Sequence, residues 1–203
     1  MKFSIKILIW LWLLACGVAY GETLIPSEVG RAVRAAGYTL VDKASAMVMM
    51  PDGSYVLAVY DNLLYDRESI VAVKNDELLV IEAAQYPGEQ MTIEPINVNA
   101  DGFADIVISE LFEVGGGQSE WSVRIYINSQ EGYEKAFAGM SATKPELRDL
   151  AGDNHLELLV TFDPYGADYR PSFCGVLYEL TNGKYKPTRE SIEKIRIKEN
   201  RGK

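Results

Sequence analysis

The chain has 203 residues, with 20 basic and 29 acidic side chains, one histidine and two cysteines. A net charge of −9 argues against nucleic acid and anionic headgroups as partners and suits cations or a basic protein. One histidine cannot build the usual zinc site, and Cys16 and Cys174 give no intramolecular disulfide framework.

The N-terminus reads as a leader. Lys2 and Lys6 precede an apolar run over 7–19, too short to cross a bilayer core of about 30 Å and flanked like a secretory signal. Two processing sites fit. Ala19-Tyr20-Gly21 gives the small-x-small pattern before Glu22, for a signal peptide over 1–21. Leu13-Leu14-Ala15-Cys16 resembles a lipobox ending at 15, with Cys16 as the lipidation site. Both export the chain, to the periplasm or as an envelope-attached lipoprotein whose only membrane attachment is that anchor. Loss of the two lysines takes the net charge from −9 to −11, and 22–203 is sized for a single domain.

A short helix opens that domain, with Ser27 as its N-cap, Val29, Val33 and Ala36 on one face, and Gly37 as its stop. After Gly37 the apolar period changes to that of strands. Val56–Tyr60 is apolar on both faces, as a buried strand is. Ser69–Val73 and Leu78–Ala83 flank a hairpin turn at Lys74-Asn75-Asp76-Glu77. Ile106–Leu111, Ser122–Ile127 and Tyr133–Phe137 follow as strands, with a mobile loop at Gly115-Gly116-Gly117. Leu158–Phe162 and Val176–Leu180 come next, the latter turning at Asn182-Gly183, a strong hairpin signal. Arg189–Lys203 reads as an edge element followed by a frayed tail.

An acidic turn runs into an apolar strand three times, at Asp52-Gly53, Asp101-Gly102 and Asp153-Asn154, with spacings of 49 and 52 residues. Such a period marks one supersecondary unit used repeatedly, here over about 44–93, 94–144 and 145–190. Asn97-Val98-Asn99-Ala100-Asp101-Gly102-Phe103-Ala104-Asp105-Ile106-Val107 resembles the D-x-N-x-D-G-x-x-D-hydrophobic signature of FG-GAP and VCBS repeats. Val123–Asn128 with Gly132-Tyr133-Glu134 resembles the second half of that repeat, and Asp149–Glu157 is a degraded copy. In the first copy only Asp52-Gly53 and its strand survive.

The resemblance implies a mainly all-β fold: an incomplete β-propeller-like array of about three antiparallel blades with a short N-terminal helix. The exposed edges are expected to be covered by that helix and the C-terminal tail. It also implies one weak Ca2+ site, from the side chains of Asn97, Asn99, Asp101 and Asp105 and the carbonyl of Phe103. With two carboxylates, affinity belongs at about 10⁻⁴–10⁻³ M. The competing reading is that these side chains hydrogen-bond the turn backbone. An EF-hand is excluded, because its twelfth position is Ile108 rather than a glutamate.

No catalytic constellation is visible, and the chain does not read as an enzyme. The long loop Asp163–Phe173 is the best recognition candidate, with Tyr165, Tyr169, Arg170 and Phe173 as partner-binding residues of types enriched at interfaces. Gly115-Gly116-Gly117 with Trp121 is a second. The leading expectation is an exported envelope protein that binds a basic protein partner, as an inhibitor or immunity protein against a cell-wall hydrolase does. The alternatives are a structural or adhesive lipoprotein and a carbohydrate-directed enzyme or lectin.

Overall fold

The computed structural model describes residues 25–41, 47–63, 67–85, 88, 90–115, 118–129, 132–162 and 174–188. Among the described residues one helix, α1 (Ser27–Ala35), precedes three antiparallel sheets taken in chain order. The first holds β1 (Tyr38–Leu40), β2 (Met47–Met49), β3 (Tyr55–Asp61), β4 (Glu68–Lys74) and β5 (Glu77–Gln85). β1 and β2 both pair with the same side of β3, Leu40 opposite Val59 and Met47 opposite Leu57, so they form one edge strand in two pieces.

The second sheet is β6 (Gln90–Ile96), β7 (Asp105–Gly115), β8 (Gln118–Ser129) and β9 (Gly132–Ser141), paired in that order. The third is β10 (Glu146–Arg148), β11 (Glu157–Phe162), β12 (Cys174–Thr181) and β13 (Lys184–Pro187), again in sequence order. Each sheet is thus a meander whose second and third strands are central. None of the three closes on itself among the described residues. Pro95 and Pro187 sit in the edge strands β6 and β13, where a missing N–H disrupts the ladder least.

Side-chain parity explains the stacking. Val56, Ala58, Ile70 and Ala72 on one face of the first sheet meet Met91, Ile93, Ile106 and Ile108 of the second. Leu57, Val59, Val71 and Val73 on its other face meet Val29, Ala32 and Val33 of α1. β3 and β4 are apolar on both sides because both sides are covered. Val107, Val123 and Ile125 then face Leu158, Val160 and Tyr185 of the third sheet, where the Phe137 and Tyr178 rings meet edge to face at 4.9 Å. The layers run α1, first sheet, second sheet, third sheet. A fully buried Val or Ile in these contacts contributes about 1.5–3 kcal/mol.

Several expectations are corrected. Ser27 is the first helical residue; Pro26 occupies the N-cap position with no side-chain cap, and its carbonyl accepts from Gly30 N at 3.1 Å. Ala36 is exposed beyond the helix, and Ala32 takes its place on the buried face. The stop at Gly37 is observed, with φ +84° and its N–H donating to Arg34 O. α1 covers an open face of the first sheet rather than an edge, because its stripe complements the second apolar face of β3 and β4. The loop expected at Gly115 is shorter, since β7 runs through that residue and β8 resumes at Gln118. Asn75 and Asp76, like Asn182 and Gly183, both have positive φ, as two-residue hairpin turns that follow strand twist require.

Candidate functional site

The acidic turns occupy one structural position, the connection between first and second strands of each sheet, and so gather at one end of the stack. The turns at 97–104 and 149–156 are conformational copies 52 residues apart. Ala100 and Gly152 have φ of 58° and 78°, and Gly102 and Asn154 have 89° and 66°. Asp101 Oδ1 accepts from Phe103 N at 2.8 Å, as Asp153 Oδ1 does from His155 N at 3.0 Å. Asp105 Oδ2 accepts from Val98 N at 2.8 Å, as Glu157 Oε2 does from Leu150 N at 2.7 Å. Leu156 N donates to Val98 O at 2.9 Å, which ties the two copies together. The first turn, 50–54, is shorter and keeps one element: Asp52 Oδ1 accepts from Ser54 N at 3.0 Å.

The residues of the expected cation site hold this turn together. Asp105 is fully buried, its two oxygens accepting from Val98 N and Asn128 N, both at 2.8 Å. Burial pushes its carboxyl above the usual range; the two N–H donors oppose that, and Asp101 adds to it. Asp101 Oδ2 accepts from Asn99 Nδ2 at 2.8 Å, and Asn99 Oδ1 accepts from Asp101 N at 3.2 Å. The side chains of Asn99 and Asp101 are thus brought together, while Asp105 turns inward and Phe103 is exposed. Among the described residues no group of three or more His, Cys, Asp or Glu converges. As arranged, these oxygens hold a hydrogen-bonded turn, each bond taking one of several lone-pair sites. In the third turn Asp149 is committed likewise, accepting from Gly152, Asp153 and Asn154 N at 2.6–3.2 Å.

A second cluster had not been expected. Glu82 of β5 reaches across to the second sheet, where Oε2 accepts from Arg124 Nη1 at 3.0 Å and from the Tyr126 hydroxyl, and Oε1 from Lys135. Arg124 Nη2 also donates to Glu110. Glu82, Glu110, Arg124 and Tyr126 are all buried, and Glu68 is buried on the same face of the first sheet as Ile70. Burial works to raise the Glu82 carboxyl, but Lys135, Tyr126 and Arg124 outweigh it and hold it below its usual range. Burial and then Glu82 push the Tyr126 phenol well up. Arg124 Nε is buried without an acceptor among the described residues. The sequence carries half of this signal: Glu110 shares the parity of Ile106 and Ile108, so a strand that buries them buries it too.

A third feature is a cleft of about 140 Å³ between the facing surfaces of the second and third sheets, beside their β6 and β10 edges. Ile96, Val107, Val123, Leu147 and Leu158 line it, with Ser109 in its wall. Glu94 and Lys144, paired at 3.1 Å and half-exposed, flank its opening.

Cys16 and the leader lie outside the described residues, as do Tyr165, Tyr169, Arg170 and Phe173. The strand ends that flank that loop, Phe162 and Cys174, lie at the end of the third sheet opposite the acidic turns. Trp121 lies in β8, opposite Leu111 and Ser141. The chain matches no protein-family model, and no curated protein or solved structure is significantly similar to it.

Proposed function

We propose that this chain is an exported envelope protein that binds a basic protein partner through the acidic end of an incomplete, propeller-like array of FG-GAP or VCBS-type repeats. The observation that carries the reading is the recurrence of one turn conformation at 97–104 and 149–156 on a single end of the stack. That end presents Asp101, Asp149 and Asp153 beside the exposed apolar side chains of Phe103 and Leu150. Carboxylates around apolar tips suit a partner whose cations are steered in and whose surface buries the tips. A basic cell-wall hydrolase has the required chemistry, and the role is then inhibition or immunity.

The test is capture and inhibition of a basic lysozyme, with N-terminal mass analysis of the envelope fraction to check export at Cys16 or Glu22. Phe103→Ala with Leu150→Ala is expected to weaken binding about tenfold or more, which is hot-spot scale. Asp101→Lys with Asp153→Lys is expected to lower the on-rate and its salt dependence. Binding that survives both pairs but is lost in Tyr165→Ala, Tyr169→Ala or Arg170→Ala moves the face to the opposite end. An uncleaved Met1 terminus in the cytosol overturns the envelope role.

A further inference from the structure

We propose that the C-terminal segment 189–203 is a tethered occupant of the acidic end: its cations and isoleucines dock on the turns at 97–104 and 149–156 and compete there with the basic partner. The competition rests on the partner-face reading above; the docking is tested without any partner.

Charge divides this chain unevenly. Residues 22–188 carry 12 basic and 26 acidic side chains, net −14, whereas 189–203 carry six and three, net +3. A basic segment on so acidic a body is drawn to carboxylates that the body leaves uncompensated. At the acidic end Asp52 pairs with Lys74 at 2.7 Å, Asp76 with Arg31 at 2.6 Å and Glu134 with Lys184 at 2.6 Å. Asp101, Asp149 and Asp153 are exposed, and among the described residues no cation pairs with any of them. Beside them Phe103 is 47% and Leu150 59% exposed. Lys194-Ile195-Arg196-Ile197-Lys198 carries the matching chemistry. In an extended chain its two isoleucines fall on one side, and lysine and arginine stems are long enough to swing their charges past apolar tips to the carboxylates around them.

Where the segment begins sets what it can reach. Thr188 N donates to Leu177 O at 2.9 Å, and Leu177 pairs with Leu159, two residues along β11 from Glu157. Thr188 therefore stands about 7 Å along the strands and about 10 Å across them from the foot of the turn at 149–156. Residues 189–193 span up to about 17 Å, which brings 194–203 to that turn. The turn at 97–104 lies alongside, held through Leu156 N and Val98 O at 2.9 Å. So short a tether sets an effective concentration on the order of millimolar. A partner then binds with its affinity reduced by the fraction of faces left open.

The test is zero-length carbodiimide cross-linking of the full processed chain at low ionic strength, which joins a lysine amine to a carboxylate in contact with it. Amide links are expected from Lys194, Lys198 or Lys203 to Asp101, Asp149 or Asp153. They should form within single chains when isotope-labelled and unlabelled protein are mixed, and disappear at about 1 M salt, where the screening length is about 3 Å. Lys194→Gln with Arg196→Gln and Lys198→Gln is expected to shift the ring signals of Phe103 and the methyl signals of Leu150. It should also tighten capture of a basic lysozyme at least about fivefold. Ile195→Ser with Ile197→Ser, which alters no charge, is expected to tighten it too, an effect that a general gain in acidity does not produce. Links confined to Glu146 and Glu179, which share the outer face of the third sheet, overturn the proposal. So do links only between chains, no links at all, or lysozyme capture unchanged in both variants. Links to the turns without lysozyme capture by any variant place the failure in the partner reading and leave the segment docked.

Discussion

Asp52 shows how one half-exposed carboxylate couples this fold to pH. Burial works to raise its pKa, but Lys74 Nζ at 2.7 Å and the Ser54 hydroxyl and N–H outweigh it, and the value falls from 3.8 to about 2. A depressed folded-state pKa means that the unfolded chain takes up the proton first. The contribution is therefore present above pH 3.8 and is lost as pH falls toward about 2. Asp52→Asn is expected to reduce stability slightly at pH 7, by under about 1 kcal/mol for so exposed a pair. The gap from the wild type should close between pH 4 and pH 2, and should narrow at pH 7 in high salt. Urea unfolding of both proteins over that range checks it; a gap that stays constant to pH 2 rules the mechanism out.

At the scale of the element, the acidic turns are held by inward carboxylates rather than by their exposed ones. Asp105 satisfies two backbone N–H groups at once, one in its own turn and one at the end of β8. Asp105→Ala strips both of their acceptor and is expected to cost about 2–4 kcal/mol, since each buried orphan costs about 1–3. The bonds of the turn leave lone-pair sites on Asp101 and Asn99, so the expected cation site is tested by the melting temperature at millimolar calcium. Any ligand that binds only the folded state raises that temperature. A calcium-dependent rise that disappears in Asp101→Ala would establish the cation site; no rise in the wild type leaves the turn a hydrogen-bonded one. The same melting experiment serves both expectations, with Asp105→Ala measured alongside.

For the whole molecule, the joint between the first and second sheets combines an aliphatic interface with a buried ionic bridge. Glu82 comes from the first sheet, and Arg124, Glu110, Tyr126 and Lys135 from the second, so the bridge fixes how the layers register. Removing only the Arg124 cation takes the guanidinium from both Glu82 and Glu110 while leaving their charges buried. Arg124→Met is accordingly expected to cost about 3–5 kcal/mol. Replacing Glu82 and Glu110 by Leu in the same protein, with Tyr126→Phe so that no buried hydroxyl loses its acceptor, is expected to recover most of that loss, because an apolar substitute for a whole buried ion pair is often neutral or stabilising. Denaturant midpoints of the single and quadruple variants decide it; a quadruple variant no better than the single one places the loss in packing rather than in buried charge.

Local chemistry made much of this legible. Asn75-Asp76 and Asn182-Gly183 announce their hairpins because few residues other than glycine tolerate positive φ, and Gly37 ends α1 for the same reason. The apolar runs of β3, β4 and β7 announce long central strands, and the 52-residue recurrence announces two copies of one turn. The short edge strands β1, β2 and β10 are too brief to show a period, so they emerged only from pairing. Parity says which residues share a face, but not what covers that face. That is why the burial of Asp105 among backbone N–H donors could not be read from its motif. It is also why Glu82 and Arg124, 42 residues apart, could be joined only by the stacking of two sheets. A carboxylate's role depends on which donors the tertiary fold brings to it, and no spacing along the chain encodes that.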